Sequence, residues 1–214
     1  MTDVDAIVLA AGQGQRLGLG PKAWLVLDDR TLLDRAVTTM RHVASHITVG
    51  VVAGDLERAR AACGHDVVVV PGGATHRQTM IAAFKAGRAP IVVVHDVVHP
   101  FVTPELALQV IDTARTDGAG VAAVPSMSSV FRERPGMPLE RIGPREVWLA
   151  RRPFACRRAD FERVLETIDS DEGLSTALEA VGVRLKLVPA PPWNIKITTP
   201  DDWVLARAIA ESLR

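Results

Sequence analysis

This chain has no excess of charge of either sign, and it has few aromatic residues. Its 214 residues carry 25 basic and 25 acidic side chains, so the formal net charge is zero. A chain with no excess of either sign is not drawn as a whole to nucleic acid or to an anionic membrane surface. Aromatic residues make up 4% of the chain and form no stripe with interleaved cations for base stacking. We therefore expect neither nucleic acid nor a membrane as a partner.

Cysteines and long apolar runs are scarce as well. The two cysteines, Cys63 and Cys156, lie far apart and lack the spacing of metal ligands. A disulfide framework is therefore not expected, and a reducing compartment is favoured. No apolar run reaches the roughly 18 residues that a membrane-spanning helix needs, and the opening MTDVDAIVLA lacks the basic segment of a signal peptide. These features predict a cytoplasmic protein.

Short branched apolar runs alternate with longer amphipathic stretches along most of the chain. Runs typical of strands buried on both faces lie at residues 6–11, 47–52, 66–70, 91–95 and 120–124. Helical periodicity is found at residues 31–43, 56–63, 77–87, 103–118 and 198–213. The alternation predicts a single α/β domain over residues 1–214, a Rossmann-like, mainly parallel twisted sheet with helices on both faces. Such sheets bind ligands at the carboxyl ends of their strands.

Two of the predicted helices have clear start signals. Thr103 precedes Pro104, which suits an N-cap followed by a proline at the first helical position. Thr199 and Pro200 repeat this order, and Asp202 stands at the position that completes a capping box.

Between residues 125 and 153 the alternation stops. The stretch contains five prolines and two glycines and shows no sustained period. Irregular stretches of this length are unusual inside a compact domain and are more often functional than idle. We expect an arm or β-hairpin that projects from the domain.

The first predicted strand ends in the loop AAGQGQRLGLGPK, residues 10–22. Its four glycines allow the backbone to approach a phosphate closely. Arg16 and Lys22 could neutralise a triphosphate and the charge that develops when its α-phosphorus is attacked. The glycine spacing matches neither a P-loop nor a Rossmann fingerprint. The alternative is a tight turn beside two solvated surface cations.

The segment LAAGQGQRLGLGPK resembles LAAGxGxRMGxxxPK, the opening pattern of the sugar-nucleotidyltransferases, with one residue fewer before the PK pair. The resemblance implies a nucleotidyltransferase, GT-A-like fold and a loop that binds a nucleoside triphosphate. By the same resemblance, Arg16 and Lys22 stabilise the transition state of nucleotidyl transfer. The loop residues that would bind the nucleotide are Ala10, Ala11, Gly12 and Gly14.

The segment VVVHDVVHPFV, residues 92–102, carries Asp96 at the end of a predicted strand. A carboxylate there could hold Mg²⁺ between phosphate oxygens, or it could simply cap the next turn. The segment resembles VHDAARPF, a signature of the 2-C-methyl-D-erythritol 4-phosphate cytidylyltransferase branch, but His99 stands where arginine is usual. Histidine can donate a hydrogen bond, yet its charge at neutral pH is not fixed. His95, facing away from Asp96 by strand alternation, is expected to be structural.

A third segment, PGGATHRQTM at residues 71–80, resembles the nucleotide-contacting pattern GGxxRxxSV of the same branch. Gly72, Gly73 and Thr79 fall in register, and His76 takes the place of the arginine. The alternative is an ordinary turn between a strand and a helix.

Two further segments bear on the second substrate. WNIKITTPDDW, residues 193–203, resembles NIKVTxPEDL and implies that Lys196, on a short predicted strand IKI, positions the phosphate of that substrate. PREVW, residues 144–148, resembles the segment with the other positioning arginine, here Arg145. Either cation could instead be an ordinary exposed side chain.

The predicted arm departs from the branch in its substrate-facing positions. Ser128, Ser129 and Phe131 stand where the pattern AVPVxDTxK has aspartate, threonine and lysine. ARRPFAC, residues 150–156, stands where the branch has QTPQxF. These departures put the identity of the acceptor in question.

The resemblance implies transfer of a cytidylyl group from CTP to 2-C-methyl-D-erythritol 4-phosphate, with Mg²⁺ as cofactor and release of pyrophosphate. It also implies a homodimer in which the arm reaches the neighbouring subunit. Two alternatives stay open at this point. The acceptor could be another polyol phosphate such as ribitol 5-phosphate, or the chain could be a nucleotide-binding paralogue without turnover.

Overall fold

The computed structural model describes residues 3–144, 146–167 and 173–213. Its α-helices are α1 (Leu32–Arg41), α2 (Leu56–Cys63), α3 (His76–Phe84), α4 (Pro104–Asp117), α5 (Arg158–Thr167), α6 (Leu174–Ala180) and α7 (Pro200–Ser212). Its strands are β1 (Val4–Leu9), β2 (Val26–Leu27), β3 (Arg30–Thr31), β4 (His46–Val51), β5 (Val67–Pro71), β6 (Ile91–Asp96), β7 (Ala119–Pro125), β8 (Val130–Arg132), β9 (Glu140–Ile142), β10 (Trp148–Arg157) and β11 (Leu185–Pro189).

One sheet organises the described part of the chain, with strand order β11–β7–β10–β6–β1–β4–β5. Strand β10 runs antiparallel to its neighbours β6 and β7, and the other pairs in the sheet are parallel. The predicted mainly parallel α/β sheet is therefore confirmed. From β1 the chain passes to β4 and β5 on one side and then crosses to β6 on the other. The carboxyl ends of β1 and β6 thus flank a topological switch point, where ligands of such sheets bind.

Helices cover both faces of the sheet, as predicted. Because side chains alternate along a strand, Ala6 and Val8 of β1 belong to one hydrophobic cluster, and Ile7 and Leu9 belong to the other. Helices α1, α2, α4 and α7 contribute to the first cluster, and α3, α5 and α6 contribute to the second. Burial on both faces explains why the strands are almost continuously apolar.

The predicted helix starts are confirmed in atomic detail. The Thr103 side chain accepts a hydrogen bond from the Leu106 amide, and Pro104 occupies the first turn of α4. At α7, Thr199 and Asp202 form a capping box, in which the Asp202 carboxylate accepts from the Thr199 amide at 2.8 Å.

The arm is shorter than the sequence suggested. The start of β10 pairs with β7, with Trp148 opposite Pro125 and Ala150 opposite Ala123, so the last part of the 125–153 stretch lies in the sheet. What projects is a small hairpin, in which β8 and β9 pair antiparallel. The sequence also did not predict β10, β11, α5 or α6.

The short strand predicted at IKI is wrong. Residues 194–198 pair with no strand of the sheet. One backbone hydrogen bond, from the Ile197 amide to the Val98 carbonyl at 2.9 Å, joins it to the segment after β6. Ile197 is fully buried while Lys196 is exposed, so the expected opposite orientation of these neighbours still holds.

Across the described ranges, no helix is long and apolar enough to cross a bilayer.

Candidate active site

A cavity of about 440 Å³ opens at the carboxyl ends of β1 and β6. It is bounded by the glycine-rich loop after β1, the turn before α3, the end of β6 and the segment that carries Lys196. The predicted site residues that line it are Ala11, Gly12, Gly14, Arg16, Lys22, Gly73, Thr79, Asp96 and Lys196. Motifs that are far apart in sequence therefore meet at the switch point of the sheet.

Three predicted site residues are not part of this lining. Ala10 is buried beneath the glycine loop, where its amide donates to the Gly50 carbonyl at 2.8 Å. Gly72 precedes the lining residue Gly73, and its amide donates to the Val51 carbonyl at 2.6 Å. Arg145 falls outside the described residues, so its predicted role stays a prediction.

The glycine loop is closed by its own backbone. The Gly14 carbonyl accepts from the Leu17 amide at 2.9 Å, and the Lys22 amide donates to the Gly12 carbonyl at 3.0 Å. Gly14 has a φ of +68°, and a Cβ there would lie 2.1 Å from the Gly20 carbonyl oxygen. Because that oxygen belongs to the backbone, no side-chain rotation can relieve the clash. Glycine is therefore required at position 14 by the loop's own geometry.

Lys22 lines the cavity together with two other cations, Arg16 and Lys196. Its Nζ donates to the Ile197 carbonyl at 2.8 Å, which ties the glycine loop to the segment that carries Lys196. Burial lowers the pKa of Lys22, and the positive charges of Arg16 and Lys196 lower it further, against a smaller opposing effect of Asp202. Three cations thus face one small volume, an arrangement that favours a polyanionic ligand.

The turn before α3 forms the second wall. A Cβ on Gly72 would lie 2.9 Å from the Cβ of Ala11, so the two loops approach as closely as glycine allows. The buried Thr79 hydroxyl accepts from the Gly73 amide at 3.1 Å and donates to the Thr75 carbonyl at 3.2 Å. The hydroxyl that replaces the pattern's serine is therefore used to hold this turn. Thr75, an N-cap that the sequence analysis missed, lines the cavity beside it.

Asp96 is the acidic group of the cavity, and it is almost fully buried. Its Oδ2 lies 3.2 Å from Nε of Arg152, and its Oδ1 lies 3.4 Å from Nε2 of His76. Burial alone would raise the pKa of Asp96, but the charge of Arg152, followed by the contact with His76, outweighs burial and holds the pKa far below its usual range. Asp96 is thus a carboxylate at neutral pH.

The two buried histidines near Asp96 carry no charge at neutral pH. Burial lowers the pKa of His95 to about 4, and burial likewise holds the pKa of His99 well below its ordinary value. The His99 amide donates to the Asp96 carbonyl at 3.0 Å, so position 99 belongs to the tight turn after β6. His99 therefore does not supply the positive charge of the arginine that it replaces.

The donor set of the cavity suits one kind of metal site. Within the described ranges, no group of three or more histidine, cysteine, aspartate or glutamate side chains could hold a metal ion. Asp96 nevertheless has unused acceptor capacity, because its Oδ1 is buried and makes no hydrogen bond to a described residue. Mg²⁺ is commonly bound by one or two carboxylates together with substrate phosphates and water. The site fits Mg²⁺ held jointly with phosphates, rather than a metal held by the protein alone.

The departures in the arm lie away from the cavity. Ser129 accepts hydrogen bonds from Arg141 within the hairpin, and the side chain of Phe131 is 54% exposed. Neither residue lines the cavity, and Ser128 does not line it either. Their effect on a substrate in the same subunit is therefore indirect.

Sequence reasoning missed one charged neighbour of the cavity, Arg152. It lies in ARRPFAC, which the sequence analysis noted only as a departure from a pattern. Its contact with Asp96 depends on β10 being inserted beside β6, and the sequence carried no signal for that insertion.

Comparison with known proteins identifies a matching family and individual relatives of this chain. The sequence model of the IspD family, described as 2-C-methyl-D-erythritol 4-phosphate cytidylyltransferase, matches residues 4–212. The bifunctional enzyme IspD/IspF of Anaeromyxobacter dehalogenans is 35% identical over 98% of this chain, which spans 57% of that relative. The 2-C-methyl-D-erythritol 4-phosphate cytidylyltransferase of Deinococcus radiodurans is 33% identical over 95% of this chain and 88% of its own length.

The fold agrees with these matches. The crystal structure of 2-C-methyl-D-erythritol 4-phosphate cytidylyltransferase from Thermus thermophilus is similar with a TM-score of 0.80 and 26% sequence identity, covering 99% of this chain and 100% of that one. The chain spans little more than half the length of the bifunctional relatives that it matches. The resemblance inferred from the motifs is confirmed, and the chain belongs to the 2-C-methyl-D-erythritol 4-phosphate cytidylyltransferase family.

Proposed function

We propose that this chain transfers a cytidylyl group from CTP to 2-C-methyl-D-erythritol 4-phosphate and releases pyrophosphate. The observation that carries the proposal is the meeting of Arg16, Lys22, Lys196 and Asp96 in one cavity, between a closed glycine loop and a helix start. Membership of the family and the names of relatives that the chain spans almost fully support the same reaction.

The triphosphate would bind between the glycine loop and the start of α3. Gly12 and Gly14 bring bare backbone to the cavity, and the first turn of α3 opens toward it through Thr75. Backbone amides in glycine loops and at helix N-termini favour negative charge. Arg16 and Lys22 add the fixed charge that a triphosphate needs for tight binding.

In the proposed reaction, an oxygen of the acceptor's phosphate attacks the α-phosphorus of CTP. The new bond from oxygen to the α-phosphorus forms in line as the bond to the β-phosphate oxygen breaks, and pyrophosphate leaves with that electron pair. Lys22 and Arg16 would stabilise the charge on the α-phosphoryl group in the transition state. Lys196, and Arg145 as predicted from sequence, would orient the attacking phosphate. The rate enhancement then comes from the positioning of the substrates and the stabilisation of charge.

No protein nucleophile is needed for this chemistry. The two cysteines are buried, and burial raises the pKa of Cys63 to about 11 and that of Cys156 well above its ordinary value. Neither thiol is suited to attack phosphorus at neutral pH. When Mg²⁺ is bound, held by Asp96 with the phosphates, it supplies charge neutralisation to the triphosphate.

The test is pyrophosphate release from CTP and Mg²⁺, with and without 2-C-methyl-D-erythritol 4-phosphate. We expect release that depends on this acceptor, and a fall of roughly 100- to 1,000-fold in kcat for Lys22→Ala, as for loss of one transition-state cation. Lys85→Ala is the matched control, because Lys85 is an exposed lysine that does not line the cavity. CTP binding without release, for any acceptor, would contradict the proposal and favour a non-catalytic paralogue.

The drift of the arm favours testing a second acceptor. Ser128, Ser129 and Phe131 change the polar pattern of the arm, whereas the glycine loop keeps both of its cations, Arg16 and Lys22. A panel that includes ribitol 5-phosphate separates the two cases. Release with ribitol 5-phosphate alone would keep the cytidylyl transfer and change the acceptor.

We also propose a homodimer formed through the hairpin arm, and the cytoplasm as its location. Large apolar side chains on the arm are exposed, with Met127 at 74%, Met137 at 63% and Leu139 at 60%. Exposed apolar surface of this kind is typical of an interaction site. Sedimentation equilibrium tests the subunit count, and a fully active monomer would contradict the proposed dimer.

The proposed location rests on the two buried, free thiols, which suit a reducing compartment. Fractionation of the host cell tests it.

A further inference from the structure

Arg152 lies beside the cavity without lining it. It belongs to β10, at the place where the pairing register with β7 shifts between Ala150 and Phe154. Its guanidinium Nε is 3.2 Å from Oδ2 of Asp96, and the two side chains are only 17% and 11% exposed. Arg152 therefore contacts, from outside the cavity, the carboxylate that the cavity presents.

The backbone of Arg152 is held in place independently of that ion pair. Its carbonyl accepts from Nδ2 of Asn194 at 2.8 Å, and Asn194 is fully buried. Asn194 lies two residues before Lys196, so one short segment anchors Arg152 and also carries a cation of the cavity wall. A charge held by a fixed backbone is pre-organised, which is what a positioning residue requires.

A buried carboxylate needs a partner of opposite charge, because desolvation of an unpaired one is costly. Position 99, where the family pattern has arginine, holds a buried histidine, which is not a permanent cation. His76 contacts the other oxygen, but its side chain is 53% exposed and it is charged only when protonated. Within the described ranges, Arg152 is the permanent cation in contact with Asp96.

We propose that Arg152 is a positioning residue that fixes the orientation of Asp96 and offsets its charge beside the bound triphosphate. The positive charge that is missing at position 99 thus enters from the neighbouring strand. This inference rests on the proposed cytidylyl transfer from CTP. Without Arg152, the full negative charge of Asp96 would face the triphosphate, and the affinity for CTP would fall.

The expected effect has a form that a simple loss of stability does not produce. For Arg152→Gln, we expect CTP affinity and kcat/KM for CTP to fall on the order of tenfold, as when one charge contact near a polyanion is lost. Most of the change should lie in KM for CTP rather than in kcat. Raising the Mg²⁺ concentration should recover part of the affinity, because a bound divalent cation offsets the same carboxylate.

The experiment is calorimetric titration with CTP, in EDTA and at several Mg²⁺ concentrations, beside steady-state pyrophosphate release. Arg151→Gln is the matched control, because it removes the same charge one residue away, where the side chain donates only to the Ala150 carbonyl among the described residues. Arg152→Lys keeps the charge and should keep most of the affinity. Adding His99→Arg to Arg152→Gln returns a cation to the turn after Asp96 and should restore part of it.

The outcomes separate this inference from the proposed function. A wild-type protein that binds CTP but releases no pyrophosphate would end the proposed function. With an active wild type, CTP affinity of Arg152→Gln equal to that of Arg151→Gln overturns the role of Arg152. If Arg152→Gln does not fold, as far-UV circular dichroism would show, Arg152→Lys and the double variant carry the test. Loss of affinity in both folded variants would overturn the proposal, because each restores the charge.

Discussion

The glycine-loop wall and the hairpin arm differ in what determines their residues. In the glycine loop, Gly14 is required because a Cβ would lie 2.1 Å from the Gly20 carbonyl oxygen. On the facing wall, Thr79 is buried with its hydroxyl bonded to the turn before α3. In the arm, residues 131–141 are all exposed, and Arg141 and Ser129 bond only across the hairpin. Gly14 and Thr79 are thus constrained by close contacts within the domain, whereas the described residues of the arm are exposed to solvent.

The difference explains where the family motifs are kept and where they have drifted. A side chain at position 14 would distort the loop that lines the cavity, so this position has little freedom. A substitution in the arm changes an exposed surface, whose requirements come from a partner or a substrate. The reaction is therefore better determined by this chain than the acceptor is.

The largest effect is expected for Gly14→Ala. A methyl group at a φ of +68° that also meets the Gly20 carbonyl must distort the loop. Misplacement of catalytic groups by about 1 Å can lower a rate roughly 100-fold, and we expect at least that loss in kcat/KM. Gly54→Ala is the control, because position 54 has open space and no positive φ. A Gly14→Ala variant with wild-type kinetics would show that the loop is not fixed by this contact.

A smaller and more selective effect is expected for Lys196→Ala. Lys196 lines the cavity, and we propose that it holds the acceptor's phosphate. A lost charge-assisted bond of this kind corresponds to roughly a 10- to 100-fold rise in KM for the acceptor, with KM for CTP little changed. Lys186→Ala is the control, since Lys186, on β11, pairs with Asp117 of α4 and does not line the cavity. A rise confined to KM for CTP would show instead that Lys196 contacts the nucleotide rather than the acceptor.

The same contrast explains how much of the molecule was predictable. The strands near Ala6 and Val93 and the caps at Thr103 and Thr199 are specified by local patterns, so their positions followed from the sequence. Strand β10 did not, because its run of arginines and Pro153 lacks a strand pattern. It is a strand because Phe154 and Ala155 pair with both β6 and β7.

The candidate site divides in the same way. Gly14, Lys22 and Asp96 could be predicted because each lies in a motif that ends a strand, and strand ends meet at one edge of the sheet. The pairing of Arg152 with Asp96 could not, because it depends on the order of strands in the sheet. The strand predicted at Lys196 was wrong. A three-residue alternation of apolar and polar side chains is equally compatible with an extended segment that is held by one backbone hydrogen bond.

The pH dependence of the reaction offers a finer test of the loop wall. Lys22 must be protonated to act as a cation, and burial together with Arg16 and Lys196 lowers its pKa from 10.5. Its charge is therefore lost as the pH rises through a value below 10.5, and activity should fall there. In Lys22→Arg, which keeps its charge to higher pH, the alkaline fall should disappear from the measured range. In Lys196→Gln it should move to higher pH, because one of the lowering charges is gone. An unchanged alkaline limb in both variants would assign it to another group.

The smallest effect on stability is expected in the arm. Met137→Ser with Leu139→Ser replaces side chains that are 63% and 60% exposed. Exposed substitutions of this kind change the free energy of unfolding by less than about 0.5 kcal/mol each, so chemical denaturation of the monomer should hardly move. If the arm forms the dimer interface, the same variant should dissociate at higher protein concentration than the wild type in sedimentation equilibrium. Loss of folded monomer would instead mean that the hairpin packs against its own domain, and the contrast between the two regions would be wrong.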